Sequence, residues 1–139
     1  MGIEETLSQV RSRLPRLDPV EAYAACHDED TFIVDTRPEF QRREAGKIAE
    51  AIVIERNHLE WRLDPTSDAR IPEAMHAGIR WIVLCEGGYS SSLAADSLRR
   101  IGLRRSTDIV GGFNAWRAAG LPIVRPGEDR TPQSANPTG

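Results

Sequence analysis

Ile79-Arg80-Trp81-Ile82-Val83-Leu84-Cys85-Glu86-Gly87-Gly88-Tyr89-Ser90-Ser91 is the stretch whose reading decides the architecture. Ile79 to Leu84 is a nearly unbroken apolar run, the pattern of a strand buried on both faces. The glycine pair then makes a tight turn. Behind it, Leu93, Ala94, Leu98 and Ile101 recur at helical spacing on one face, and Gly102 stops the helix. A buried strand passing through a glycine turn straight into an amphipathic helix is half of a parallel βα unit.

The same alternation extends outward. Thr31-Phe32-Ile33-Val34-Asp35 and Ala51-Ile52-Val53-Ile54 read as further buried strands, and Thr107 to Val110 as the last one. Between them the sequence predicts helices over about 3–14 and 19–25, the second opened by Asp18-Pro19, and over 38–46. A helical turn capped by Asn57 is predicted over 57–63. Residues 64–78, broken by Pro65 and Pro72, read as loop plus a short helix. Gly111-Gly112 opens a final helix closed by Gly120. The fold class expected is α/β: a single domain with a mainly parallel central sheet and helices on both faces. Residues 1–15 form an N-terminal helix, 16–124 the domain, and 125–139, rich in Pro, Gly, Ser and Asn, a tail expected to be disordered.

Composition narrows the function classes. The chain has 139 residues, too few for two domains with a cleft between them. A formal charge of −3 argues against nucleic acid and against a polybasic membrane-surface role. No apolar stretch is long enough to span a bilayer. The acidic start, Met1 to Thr6, lacks an apolar signal region, so the compartment expected is the cytoplasm. Lys47 is the only lysine, so the basic side chains are nearly all planar guanidinium forks.

The two cysteines, Cys26 and Cys85, lie far apart in sequence and are read as separate thiols. Cys85 ends a strand just before a glycine turn and a helix, where ligands collect in open α/β sheets. Successive main-chain amides of such a turn can point inward and hold an anion, and the helix dipole adds positive potential. Both effects favour thiolate over thiol. Gly87 and Gly88 permit the turn, while Ser90 and Ser91 offer hydroxyls to the anion or a cap to the helix. Cys26, inside a helix with no such turn, reads as a packed structural thiol. His27, His58 and His76 have no metal-ligand spacing with either cysteine, so no metal is expected.

Three segments together resemble the rhodanese family of single-domain sulfurtransferases, over about residues 17–124. Val34-Asp35-Thr36-Arg37-Pro38-Glu39-Phe40, continuing to Gly46-Lys47-Ile48 and Ala51-Ile52, is similar to its first signature. Cys85-Glu86-Gly87-Gly88-Tyr89-Ser90-Ser91 is similar to its active-site loop. Gly111-Gly112-Phe113-Asn114-Ala115-Trp116, with Gly120-Leu121-Pro122, is similar to its closing signature. The resemblance implies that Cys85 takes a sulfane sulfur from a donor such as thiosulfate or a persulfide, holds it as a persulfide within the loop Glu86 to Ser91, and passes it to a thiophilic acceptor. That acceptor is a small thiol or a protein, and no cofactor is needed. The chain departs from the pattern in four places. Ser90 stands where many members have arginine, and Glu86 puts a negative charge beside the sulfur. Lys47 replaces the usual histidine, and Ala49-Glu50 the usual proline and glycine.

Asp35 and Arg37 read as an ion pair supporting the strand end rather than as catalysts. Arg56, His58 and Arg62 fall in the segment that often flanks the pocket in this family and are candidates for its rim. Two other functions stay open at this stage. One is a sulfur-relay or regulatory binding module that does not turn over. The other is a relative of the phosphatases and arsenate reductases, which place an arginine six positions after the cysteine; here that position is Ser91.

Overall fold

The computed structural model describes residues 2–128, and the remainder of the expected tail lies outside the described residues. The centre is β3 (Arg80–Leu84), which is nearly sealed from solvent along its length. It lies between β1 (Thr31–Asp35) and β4 (Thr107–Asp108), and β2 (Ile52–Val53) pairs with the far side of β1. All three pairings are parallel, in the order β2-β1-β3-β4, with Val34 opposite Val83 and Ile52 opposite Val34.

Because side chains alternate along a strand, the two faces of the sheet build separate cores. Val34, Trp81 and Val83 point to one face. They pack with Leu59 and Leu63 of α4 (Leu59–Leu63), Ala94, Ala95 and Leu98 of α5 (Ser90–Arg100), and Val10 of α1 (Ile3–Arg11). Ile33, Ile82 and Leu84 point to the other face. They pack with Ala22 and Ala25 of α2 (Pro19–Ala25), and Phe113 and Trp116 of α6 (Gly112–Ala118). Ala45, at the end of α3 (Glu39–Ala45), joins that second core. The expected α/β class, with a parallel sheet covered on both faces, is the observed one.

Local chemistry explains the boundaries. The Asp18 carboxylate accepts the Glu21 amide at 2.8 Å, and the Glu21 carboxylate accepts the Asp18 amide at 2.9 Å, closing a reciprocal cap on α2. The expected buried strand over 51–54 is shorter and more exposed than its apolar run suggests. Only Ile52 and Val53 pair, and Val53 is 46% exposed because β2 has a neighbour on one side only. Asn57 does not cap a helix: residues 56–58 form a 3-10 turn leading into α4, with no side-chain cap bond. Residues 64–78 hold turns and no helix. α1 ends at Arg11, three residues before the end its apolar spacing predicts, although Leu14 is still buried in the core. Ile101 was expected on the buried face of α5 but follows its end and is exposed, and Leu103 fills the core instead.

Two substitutions separate the centre of the sheet from its edge. Ile82→Ala empties a fully buried site on β3 and is expected to cost about 2–5 kcal/mol in urea unfolding. Val53→Ala on the edge strand should change stability by no more than about 0.5 kcal/mol.

Candidate active site

The strand order makes a crevice. From β1 the chain leaves through α3 to reach β2 on one side, and from β3 it leaves through α5 to reach β4 on the other. The loops that follow β1 and β3 therefore diverge, and ligands of open α/β sheets bind at such a switch point. A cavity of about 280 Å³ opens there. Thr36, Arg37, Pro38 and Gln41 line it from the β1 side, and Cys85, Glu86, Gly87, Tyr89 and Ser90 from the β3 side. The structure thus brings the cysteine, its loop and the Arg37 support to one place.

Cys85 is 7% exposed, and its sulfur accepts two main-chain hydrogen bonds, from Gly88 N–H at 3.2 Å and Ser91 N–H at 3.3 Å. The loop carbonyls turn the other way. Those of Cys85 and Glu86 accept the amides of Phe113 at 2.8 Å and Asn114 at 3.0 Å, in the first turn of α6. This contact needs backbone against backbone. A Cβ on Gly112 (φ +60°) would lie 2.3 Å from the Cys85 carbonyl oxygen and 2.7 Å from the Gly88 nitrogen. Gly88, at φ +85°, takes the left-handed conformation that turns its amide onto the sulfur.

The Ser91 hydroxyl does not face the sulfur as the sequence suggests. Ser91 and Ser92 each donate to the buried carboxylate of Asp108, both at 2.8 Å. Tyr89, with no side-chain bond, stands at the cap position of α5, and Ser90 lines the cavity without capping the helix. Asp108 was not singled out from the sequence. The signal was there, since a carboxylate inside a short apolar strand must find partners or ionise at great cost. Besides the serines, Arg16 meets it at 2.8 Å and 3.1 Å.

Glu86 turns toward Arg37. The guanidinium donates to Glu86 Oε1 at 3.0 Å and grips Asp35 through Nη2 at 2.9 Å and Nε at 3.1 Å. It also donates to the Gly46 carbonyl at 2.9 Å and lies 4.0 Å over the Phe113 ring. Burial works against its charge, but the bonds and charges of Asp35 and Glu86 outweigh that cost and raise its pKa above the usual guanidinium value. Arg37 is therefore a fully committed cation that ties the end of β1 to the cysteine loop.

Arg56, His58 and Arg62 are not among the residues lining this cavity. Arg56 pairs with Glu60 at 3.0 Å, His58 is exposed near Glu55, and Arg62 donates to the Ala69 carbonyl at 2.7 Å. A larger cavity of about 480 Å³ lies over the end of α3, lined by Arg42, Arg43, Lys47 and Arg125, with no cysteine among its lining residues. Cys26 donates to the Tyr23 carbonyl at 3.1 Å. Burial, with Glu50 and Asp28, pushes its thiol above the ordinary value. Among the described residues no group of His, Cys, Asp or Glu is arranged to hold a metal, and no helix is long and apolar enough to cross a membrane.

A doubly wound α/β domain whose strand-end cysteine accepts two main-chain amides of the loop that follows it defines a class of small cysteine-loop proteins. Comparison with known proteins gives the class a name. Residues 18–119 match the model of the rhodanese-like domain, and the chain belongs to the rhodanese family. It is 30% identical over 98 residues to a sulfurtransferase of Allochromatium vinosum, a match covering 70% of this chain and 82% of that one. A Rhodopseudomonas palustris protein of unknown function, described as a possible tyrosine phosphatase, superposes with a TM-score of 0.79 at 34% identity, covering 88% of this chain and 94% of that one. The polysulfide-sulfur transferase homodimer of Wolinella succinogenes shares the fold, with a TM-score of 0.73 at 20% identity, covering 93% and 91%.

The contrast between the thiols can be measured. A raised thiol keeps Cys26 protonated near neutral pH and slow to alkylate until the pH rises, whereas the Cys85 sulfur lies in the cavity with two main-chain N–H groups on it. Peptide mass spectrometry after iodoacetamide should find Cys85 modified at least about tenfold faster than Cys26 near neutrality; equal rates would count against the amide seat. Gly112→Ala drives a methyl into the loop backbone. It is expected to slow Cys85 alkylation and lower stability by more than about 1 kcal/mol in thermal unfolding.

Proposed function

We propose that the protein is a sulfurtransferase that carries sulfur as a persulfide on Cys85. The observation that supports this most directly is the pair of main-chain N–H groups on the Cys85 sulfur. In the first half-reaction the Cys85 thiolate attacks the outer, sulfane sulfur of the donor. The donor's S–S bond breaks, its leaving group departs with the electron pair as sulfite or a thiolate, and Cys85 becomes a persulfide anion. In the second half-reaction an acceptor thiolate attacks the outer sulfur of that persulfide. A new acceptor S–S bond forms and the Cys85 thiolate is released, so the enzyme returns to its starting state with no net redox change. The loop amides serve both charged forms without a metal or a basic side chain in contact with the sulfur. Reactive thiol chemistry of this kind suits a reducing compartment, and we assign the protein to the cytoplasm.

The charge at the cavity favours one donor. The Glu86 carboxylate is paired with Arg37, and that guanidinium is fully engaged by Asp35, Glu86 and Gly46. A dianion such as thiosulfate finds no uncommitted guanidinium among the residues lining the cavity. A persulfide on a thiol carrier, small molecule or protein, brings less charge and is the better substrate.

The phosphatase reading draws on the likeness to the Rhodopseudomonas protein. It lacks the group that would clamp a phosphoryl dianion: Ser91 occupies the sixth position after Cys85, and its hydroxyl is bonded to Asp108. Hydrolysis of an aryl phosphate, lost in Cys85→Ser, would favour it over sulfur transfer.

Intact-mass measurement tests the proposal. After incubation with a thiol persulfide, wild type is expected to gain one sulfur atom and Cys85→Ser none, with thiosulfate loading the wild type more slowly. A wild type that gains no sulfur from either donor overturns it. Loading without subsequent turnover to small thiols would mark a relay module serving a protein acceptor.

A further inference from the structure

The two residues whose amides hold the sulfur, Gly88 and Ser91, are each tethered by their other polar group to one cluster behind the loop. The Gly88 carbonyl accepts Arg11 Nη2 at 2.8 Å and Arg16 Nη2 at 3.1 Å. The Ser91 hydroxyl donates to Asp108 Oδ2 at 2.8 Å. The cluster is closed on itself. Arg16 grips Asp108 through Nε at 2.8 Å and Nη2 at 3.1 Å, and Arg11 Nε donates to Ser92 Oγ at 3.2 Å, while Ser92 donates to Asp108. Asp108 is fully buried, so its bonds to the two serines act in a medium of low polarity, while the bonds of Arg11 and Arg16 are partly buried.

These contacts constrain the loop directly. Drawing the Gly88 carbonyl outward onto two guanidinium groups fixes the rigid Gly88–Tyr89 peptide plane, so the Gly88 N–H, one pair of backbone rotations back along the chain, is held from its C-terminal side. Anchoring the Ser91 side chain fixes the first turn of α5 and with it the Ser91 amide. Charge-assisted bonds are strong and directional, and here they meet at the two donors the sulfur uses. Arg11 and Arg16 lie in the segment before residue 18, ahead of the part of the chain that matches the family model.

We propose that Arg11, Arg16 and Asp108 are positioning residues that hold the Gly88 and Ser91 amides on the Cys85 sulfur, so that the N-terminal segment tunes the reactivity of the thiol. The inference rests on Cys85 being the reactive thiol of the proposed function, but its test does not depend on sulfur transfer.

The test measures Cys85 alkylation by iodoacetamide across a pH series, with Cys26 in the same sample as reference and thermal unfolding in parallel. The charged groups around the loop are Glu86 beside the cysteine, Arg37 and Asp35 across the cavity, Arg11 and Arg16 from the N-terminal segment, and Asp108 from β4. Two variants are compared with wild type: Arg11→Met, which leaves Asp108 paired with Arg16, and Arg16→Met/Asp108→Asn, which removes both charges together. In each, Cys85 alkylation near neutral pH is expected to fall on the order of tenfold and its pH profile to move to the alkaline side, with the Cys26 rate unchanged. Arg11→Lys keeps one donor for the Gly88 carbonyl and should recover most of the lost rate. A Cys85 rate and profile within about twofold of wild type in Arg11→Met overturn the proposal, even if the unfolding temperature falls, since that result leaves the cluster a purely structural role. Should the double variant fail to fold, Arg11→Met and Arg11→Lys decide the question. If wild type takes up no sulfur while these variants still slow alkylation, the sulfurtransferase reading falls and the positioning role stands.

Discussion

The loop from Cys85 to Ser91 cannot point its amides at a sulfur unless its carbonyls find partners on the opposite side. A peptide group offers its donor and acceptor in opposite directions, and a buried carbonyl left unpaired costs about as much as a lost hydrogen bond. Two separate parts of the chain supply those partners. The first turn of α6 takes the carbonyls of Cys85 and Glu86, and two arginines ahead of α2 take that of Gly88, while Asp108 on β4 accepts the hydroxyls of Ser91 and Ser92. The rest of the fold serves this outer ring of acceptor contacts. The parallel sheet brings the ends of β1 and β3 together, and the two helical layers deliver α5 and α6 to the same corner.

Charge follows the same logic. Glu86 would repel an anionic sulfur if it pointed inward, but Arg37 draws its carboxylate aside while binding Asp35. One guanidinium thereby closes the end of β1, neutralises the loop carboxylate and rests on the ring of Phe113. The interior of the cavity is left to main-chain dipoles, whose directions are set by the fold and not by rotamer choice.

The architecture was legible in the sequence where periodicity and chemistry agreed. Ile79 to Leu84 reads as a buried strand because both of its faces are apolar, and Asp18-Pro19 reads as a helix start because each residue suits its position for a known reason. The reading failed where tertiary context overrode local pattern. Ala51 to Ile54 is apolar throughout, yet β2 is an edge with one neighbour, so half of it meets water. Ser91 looked like an anion ligand from its spacing, but hydroxyl direction depends on what lies behind the helix, and Asp108 lies there. Arg56, His58 and Arg62 follow the family's segment in sequence, but their partners Glu60, Glu55 and Ala69 are local. Cys85 does lie where the sequence puts it, at a strand end before a glycine turn. The guanidinium groups behind it were not legible, because nothing in the spacing of Arg11 and Arg16 links them to a residue more than seventy positions away.

The contact between α1 and the cysteine loop separates two kinds of boundary. The match to the family model starts at residue 18, while the bonds that brace the loop start at Arg11. A segment outside the matched region is therefore tied to the cysteine loop through two side chains. Relatives with the same cysteine loop and a different leading helix would hold the same sulfur in a differently braced cradle. In such a lineage, reactivity could be retuned by changing a helix that never touches the substrate.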